Sequence, residues 1–460
     1  MRYSRDSVID RTLRHSVRDG VAYSVMSGGG ETYFSAFALF LRASAPQVAL
    51  LAVLPQLLGS LTQLLSAWQG ARLRRRKHLI LVGASLQALV WLPLVSLPLA
   101  VPDQAVPLLL VFVTLYHAGG NLAAPAWSSL MGDLVPERKR GRFFGRRTRL
   151  ATITAFVSLV TAGLILHGFN AWGWTVYGFL LLFCCAGVAR TVSVYHLALM
   201  HEPQPAHPPA PAPTTSPLRL LHDSPAWRFT LFVALMQGAV AVAAPLFAVY
   251  MLRDLHYTYL QFMATTGTAV LMQFLTLDRW GRVSDIFGNR LILVTTGSLL
   301  PVLPALWLAS DSFWYLLAIQ VLSGFSWAGF SLSAGNFLYD LVPAQRRTRY
   351  MALHNVFVAL AVFGGGLLGA LLSRTLPAVT AVIGTHHPPG STLLAVFAAS
   401  AVLRALTALL FLPRLQEVRK RRRAISARQL VFRITRFSAF SGLLYDVVSM
   451  FRRSPEDRER

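Results

Sequence analysis

The chain has 460 residues, of which 54% are hydrophobic and only 13% are charged, and its mean hydropathy is +0.51. Soluble domains carry about 25% charged residues, so this composition excludes an ordinary soluble domain and predicts an integral membrane protein. The net charge of +24 does not indicate a nucleic-acid partner, because the arginines stand in short clusters between long apolar stretches.

Twelve apolar stretches, each of about 20–25 residues, are long enough to cross a hydrocarbon core of about 30 Å as helices. The first six are predicted at residues 21–43, 46–68, 79–101, 106–131, 150–169 and 174–197. The second six are predicted at residues 227–251, 257–277, 291–309, 312–338, 351–372 and 391–412. A proline-rich linker at 201–225 separates them, because proline runs favour extended polyproline II over helix.

The distribution of basic residues predicts the orientation of these spans. If the N-terminal segment 1–20 is cytoplasmic, the opposite side of the membrane receives only Arg42, Arg253 and Arg374 among the loop arginines and lysines. We therefore expect both termini and the linker to lie in the cytoplasm, and the protein to reside in the inner membrane. The basic tail 414–460 could form an amphipathic helix on anionic lipid headgroups, with a disordered tail as the alternative.

The two halves of the chain are related by an internal repeat. The sequence DLVP at Asp133 recurs at Asp340, residues 79–82 recur as 291–294, and Arg190 has a counterpart in Arg404. Each pair is separated by about 210 residues, which indicates a duplicated six-helix unit, a common plan of transporters. We predict bundles at 21–200 and 226–413. Because Asp133, Asp340, Arg190 and Arg404 are duplicated, we expect gating or architectural roles for them.

The stretch GRVSDIFGNR at residues 281–290, between spans eight and nine, resembles motif A of the major facilitator superfamily. The residues that carry this resemblance are Gly281, Asp285, Gly288 and Arg290. Together with the twelve spans and the repeat, the resemblance covers nearly the whole chain. It implies an all-α membrane protein with two pseudo-symmetric six-helix bundles around a central cavity, which works by alternating access.

The chemistry of this stretch suits a gate. Glycines allow two helix ends to approach closely, and Asp285 could accept charge-assisted hydrogen bonds in one conformation and lose them in the other. A static brace between the helices is the alternative. The equivalent stretch of the first half, which follows Gly70, has no acidic residue.

Glu31 is the first candidate for chemistry, because it lies near the middle of the first predicted span. An ionised carboxylate inside a membrane is costly, so this side chain must be protonated, paired or exposed to a wet cavity. The three preceding glycines, residues 28–30, could loosen the helix or admit a close neighbour. We expect Glu31 to bind a proton or a cation, with a buried structural pair as the alternative.

Polar side chains near the centres of other spans are further candidates. His117 and Asn121 lie one turn apart on one face of span four. The remaining candidates for the substrate or ion site are Tyr33, Tyr116, Gln237 and Asn336. For each of them the structural alternative is a satisfied core residue or an interhelical hydrogen bond.

Other apparent motifs do not indicate an enzyme. Gly364, Gly366 and Gly369 spell G-x-G-x-x-G, but they lie inside span eleven, without the strand that a nucleotide site needs. Close helix packing through Gly365 and Gly369, spaced G-x-x-x-G, is the better interpretation. We expect no cofactor, no metal site and no enzymatic activity.

The sequence thus predicts a monomeric secondary transporter of a small solute, coupled to protons or another cation. One alternative is an uncoupled facilitator in which Glu31 contacts the substrate. The other is a transporter-like membrane scaffold or sensor whose basic tail binds a partner.

Overall fold

The computed structural model describes residues 6–70, 76–135, 140–202, 225–342, 347–378 and 391–416. Most of the predicted linker and nearly all of the predicted basic tail, including its amphipathic helix, lie outside these ranges. The described chain is folded as helices, which satisfy their own backbone hydrogen bonds where a bilayer offers no water.

Six spanning helices form each half of the chain. Those of the first half are α1 (Ser7–Gly29, continued after a 3-10 turn at Glu31–Tyr33 by Phe34–Phe40), α2 (Ala45–Gly70), α3 (Arg76–Ala100), α4 (Ala105–Leu134), α5 (Arg140–Ala171) and α6 (Thr175–Ala198). Those of the second half are α7 (Pro225–Ala241, continued by Leu246–Val249 and Tyr250–Asp254), α8 (Tyr259–Phe287), α9 (Asn289–Leu299, continued by Val302–Leu306), α10 (Phe313–Leu341), α11 (Arg347–Thr375) and α12 (Thr392–Phe411).

The number of spans agrees with the prediction. Eleven helices in the described ranges are long and apolar enough to cross a membrane. The twelfth crossing is α1, which carries acidic residues and is interrupted near Gly30. The prediction of an all-α membrane protein with twelve spans in two bundles is therefore confirmed.

Several helices extend beyond their predicted bounds. Helix α1 begins at Ser7, not near residue 21, and the Asp6 carboxylate caps it by accepting a 2.8 Å hydrogen bond from the amide of Val8. Most of the predicted N-terminal segment 1–20 thus belongs to the first bundle. Helix α5 likewise begins at Arg140, ten residues before the predicted span. Hydropathy marks only the apolar part of a helix, so it does not predict the polar first turns.

The first helix of each bundle is broken at the same depth. After the break, the second part of α1 starts at Phe34 and that of α7 at Leu246, a separation of about 210 residues that matches the repeat. In α1 the break follows Gly30, where a Cβ would come within 2.6 Å of the Trp91 ring. In α7 the break ends at Pro245, which cannot donate a backbone hydrogen bond.

Arg404 in α12 stabilises breaks in two neighbouring helices. Its Nη1 donates to the carbonyl of Leu300 at 3.2 Å, a carbonyl that Pro304 cannot satisfy because proline has no amide hydrogen. Its Nη2 lies 3.5 Å from the carbonyl of Val240 beside the break in α7, and the Ser400 hydroxyl donates to the adjacent Ala239 carbonyl at 2.7 Å. These bonds support an architectural role for Arg404, which stays a prediction.

The glycines of α11 permit a very close approach to α7. A Cβ on Gly365 would lie 2.0 Å from the carbonyl oxygen of Gly238, and one on Gly369 would lie 2.1 Å from that of Val242. Only glycine fits at such distances, so the predicted packing through Gly365 and Gly369 is confirmed.

Among the described residues, the two halves share an apolar core at one end and have separate apolar cores at the other. We call the end at Ser7, Arg76 and Asp133 the N-terminal end, and the end at Phe40 and Ala171 the far end. At the far end one apolar core includes residues of both halves, with Phe179 of α6 packed edge-on against Tyr259 at 5.7 Å. At the N-terminal end each half has apolar clusters of its own.

Candidate functional site

A cavity of about 360 Å³ lies among the helices of the first half, α1, α3, α4, α5 and α6. It extends from Glu31, at the break in α1, to Arg147 and Leu197 near the N-terminal end. Its polar, charged and aromatic lining residues are Asp19, Tyr23, Glu31, Gln87, Tyr116, His117, Asn121, Trp127, Ser128, Arg147 and Arg190. This size and this mixture of rings with a few convergent polar groups are typical of a small-molecule site.

Glu31 lies at the inner end of this cavity and is held by Tyr116. The Tyr116 hydroxyl donates to Oε2 of Glu31 at 2.9 Å. The Tyr116 ring is itself fully buried, with edge-to-face contacts to Phe34 at 5.5 Å and Trp91 at 5.6 Å. The carboxylate is therefore placed by a rigid aromatic cluster, and it still lines the cavity.

The structure brings together some of the predicted site residues and not others. Tyr116, His117 and Asn121 line the cavity with Glu31, as expected for one face of span four. Tyr33 does not, because its side chain is fully buried and its hydroxyl donates to the carbonyl of Leu159 in α5 at 2.8 Å. Among the described residues, Gln237 and Asn336 are not part of the cavity wall either.

Asp19 is a second buried carboxylate in the cavity, and the sequence interpretation missed it. Its Oδ2 pairs with Nη2 of Arg147 at 3.2 Å, and its Oδ1 accepts a 2.7 Å hydrogen bond from the Ser193 hydroxyl. The Arg147 guanidinium is further held by the carbonyl of Ser16 at 3.1 Å and lies 4.3 Å from the centre of the Trp127 ring.

Arg190 extends this network from α6 to α3. Its Nη1 donates to Ser193 at 2.7 Å and its Nη2 donates to Gln87 at 2.6 Å, while only 4% of the residue is exposed. Its duplicated counterpart Arg404 bonds to backbone carbonyls and a serine. Arg190 thus bonds side chains, one of which, Gln87, lines the cavity, and the gating or architectural role of both arginines stays a prediction.

The sequence does not single out Asp19 and Arg147, because both stand just outside the predicted spans. One signal could have found Asp19. Asp6 is a helix-capping residue type, and the helical pattern that follows it places Thr12, Ser16 and Asp19 on one buried face. Three polar residues on a buried face indicate a wet or functional interior.

The model of a family described as Major Facilitator Superfamily matches residues 20–275 and 229–455. The chain belongs to the Major Facilitator Superfamily. It is therefore a multi-pass membrane transporter of small molecules and not an enzyme, and the resemblance based on residues 281–290 is confirmed.

Among curated proteins, the chain is 32% identical over 127 residues to "Major facilitator superfamily domain-containing protein 10" of Mus musculus. This match covers 27% of the chain and 28% of the mouse protein, so the chain matches about a quarter of that relative's length.

Solved structures of several transporters share the fold of this family member. A D-xylose–proton symporter has a TM-score of 0.66 at 13% identity, covering 90% of this chain and 100% of its own. A bacterial homologue of the iron transporter ferroportin, in an inward-facing state, has a TM-score of 0.62 at 17% identity, and the match covers 87% of this chain and 98% of the homologue. A mutant of a nucleoside transporter has a TM-score of 0.65 at 11% identity, and the match covers 88% of this chain and 100% of the nucleoside transporter. At these identities the likeness shows the fold alone.

The residues that resemble the family's motif A lie at the N-terminal end of the second half. The predicted loop 281–290 is shorter than expected, because α8 continues through Gly281 and Asp285 to Phe287. The chain reverses at Gly288, whose φ of 84° lies in the region that favours glycine. The side chain of Asp285 is outside the described part of the structure, and Arg290 donates from Nε to the carbonyl of Leu415.

The duplicated aspartates occupy equivalent places in the two halves. Asp133, at the end of α4, accepts a 2.7 Å hydrogen bond from Nη1 of Arg76 at the start of α3. Asp340, at the end of α10, accepts a 3.2 Å hydrogen bond from the Asn289 side chain at the start of α9. Each aspartate thus ties together two helix ends within one half, and the gating role of these residues stays a prediction.

Proposed function

We propose that this family member is a secondary active transporter in which Glu31 binds the coupling proton or cation. The observation that supports this most is the position of Glu31, a carboxylate at the break of α1 that lines the cavity. Broken helices near the midplane are where membrane transporters of several folds bind their ions and substrates. A carboxylate there is costly unless it has a function or a partner.

The arrangement of the two halves favours an inward-facing state. Within the described ranges they share an apolar core at the far end and have separate cores at the N-terminal end, toward which the cavity extends. We place the N-terminal end in the cytoplasm of the inner membrane, because the loops at that end carry nearly all of the loop arginines. Transport would then require the far-end contacts between α6 and α8 to open.

A second candidate function, an uncoupled facilitator, is favoured by the same exposure of Glu31 to the cavity. In that case the carboxylate would contact the solute directly and would not need to exchange a proton. The two candidates differ in one measurable property, the ability to concentrate a solute against its gradient.

The test is flux in liposomes that contain the purified protein. Solutes are first chosen by their ability to raise its melting temperature, and their uptake is then measured with and without an imposed pH gradient. We expect saturable uptake that exceeds equilibrium when the gradient is present. Saturable uptake that never exceeds equilibrium under proton or sodium gradients would favour the facilitator, and the absence of flux for every stabilising solute would contradict both candidates.

A further inference from the structure

We infer that the transported solute bears an anionic group, which binds Arg147 and Arg190 and displaces the Asp19 carboxylate from them. This inference rests on the proposed function and specifies the substrate class of the same cavity, a small organic anion with an apolar or aromatic body. Asp19 is then the internal counter-ion of the empty site.

The first support is the distribution of charge between the two arginines. Asp19 makes a direct ion pair with Arg147. Within the part of the chain that the structure describes, Arg190 reaches that carboxylate through the Ser193 hydroxyl, which accepts from Arg190 and donates to Asp19, both at 2.7 Å. One carboxylate therefore serves two largely buried guanidinium groups, and a buried charge without a full counter-charge is costly.

The second support is a pair of buried donors in the cavity wall. In the described ranges, Nε of Arg190 and Nε1 of Trp127 are buried and have no hydrogen-bond partner. Arg190 as a whole is 4% exposed. Buried polar groups are usually paired, so the wall holds two more hydrogen-bond donors than its own acceptors satisfy. Neither atom is open to the cavity in this state, so a ligand oxygen would reach them only after the side chains rearrange on displacement of Asp19.

The third support is the charge balance of the cavity. The titratable side chains that line it are Asp19, Tyr23, Glu31, Tyr116, His117, Arg147 and Arg190. Two carboxylates balance two guanidinium groups while Glu31 is ionised. If Glu31 takes up a proton, as proposed above, the cavity gains a net positive charge, and an anionic solute restores neutrality. The binding of one proton and one anionic group would then favour each other.

The aromatic residues define the rest of the solute. The rings of Tyr23 and Trp127 line the cavity beside the two arginines, with Arg190 5.1 Å from the Tyr23 ring centre and Arg147 4.3 Å from that of Trp127. Flat rings next to guanidinium groups suit a planar apolar body that carries a carboxylate.

The experiment compares three probes of equal size, 3-phenylpropionate, 3-phenylpropionamide and 3-phenylpropylamine, on the purified full-length protein in detergent at neutral pH. We expect only the carboxylate to raise the melting temperature and to bind saturably. Arg147→Gln and Arg190→Gln should remove this effect, and Arg147→Lys should retain part of it. Arg14→Gln, which changes an exposed arginine of α1 outside the cavity, should leave it unchanged.

The direction in which Asp19→Asn changes the Kd of the carboxylate separates the proposed counter-ion role of Asp19 from a purely structural one. Asparagine keeps the size of the side chain and an acceptor for Ser193 but removes the competing negative charge. We therefore expect the Kd of 3-phenylpropionate to fall about tenfold. If Asp19 were only a structural support of the cavity, the same substitution would weaken binding or leave it unchanged.

Several results would contradict the proposal of an anion site. They are equal or stronger stabilisation by the amide or the amine, no stabilisation by the carboxylate at any soluble concentration, and weaker or unchanged carboxylate binding by Asp19→Asn. The proposed function fails separately, in liposomes. Carboxylate binding without any flux would support the anion site and contradict the proposed transport function. Gradient-driven uptake of a cationic or neutral solute would support the transport function and contradict the anion site.

Discussion

Replacing Glu31 with glutamine should abolish accumulation of the solute against its gradient while leaving the protein folded. Glutamine keeps an acceptor for the Tyr116 hydroxyl, which lies 2.9 Å from the carboxylate, but it cannot gain or lose a proton near neutral pH. Uptake driven by a pH gradient should therefore fall to the equilibrium level. The measurement is uptake into liposomes with and without the gradient, together with the melting temperature of each variant.

The control is Asp103→Asn, because Asp103 is an exposed carboxylate in the 3-10 turn at Pro102–Gln104 and lies outside the cavity. This variant should concentrate the solute as the original protein does. Undiminished accumulation by Glu31→Gln would show that the coupling site lies elsewhere. Loss of solute binding itself would favour the facilitator in which Glu31 contacts the substrate.

Replacing Gly365 with alanine should strongly destabilise the second bundle. The new Cβ would lie 2.0 Å from the carbonyl oxygen of Gly238, so α7 and α11 would have to move apart along their whole contact. Overpacking of a core typically costs about 1–3 kcal/mol and more where backbone atoms collide. We expect a large loss of monodisperse protein after detergent extraction and a clearly lower melting temperature.

Gly364→Ala provides a control at the adjacent residue, because no atom lies within 4 Å of a Cβ at that position. It should behave as the unmodified protein does, or be slightly more stable, since alanine favours helix over glycine. Equal melting temperatures for the two variants would mean that the close α7–α11 contact is absent from the folded protein.

The sequence predicted the fold well because membrane helices leave strong signals. Apolar stretches of spanning length and the DLVP sequences at Asp133 and Asp340 were sufficient for the number of spans and for the repeat. Helix ends were less predictable. The polar turns at the start of α1 and α5 and the end of α8 lie beyond the apolar stretches, and hydropathy contains no information on how far a helix continues past them.

The site was only partly predictable for a related reason. Glu31 and His117 stand out because a polar residue in an apolar span is rare, whereas Asp19 and Arg147 stand among other charges and differ from them only in burial. The Asp19–Arg147 pair joins residues of α1 and α5 that are far apart in the chain, and one sequence without relatives does not reveal such a contact. Tyr33, two residues after Glu31, faces α5 because the 3-10 turn at Glu31–Tyr33 redirects its side chain.

The duplicated arginines show that a repeat does not specify the bonding partners at its equivalent positions. Arg190 and Arg404 occupy equivalent positions, yet Arg404 binds backbone carbonyls at breaks in α7 and α9, whereas Arg190 binds Gln87 and Ser193. Helix α3 crosses the bundle without the interruption that divides α9 after Leu299. Arg190 lines the cavity, and only the structure distinguishes the partners of the two arginines.

We propose that the cavity is reached alternately from the two sides of the membrane. A cysteine at Ala124, an exposed residue of the cavity wall, tests it in a chain whose two exposed native cysteines, Cys184 and Cys185, are replaced by serine. A membrane-impermeant thiol reagent applied to either face of oriented vesicles should modify this cysteine, faster from the side of the N-terminus. Modification from one face only, under every gradient and with every stabilising solute, would contradict alternating access.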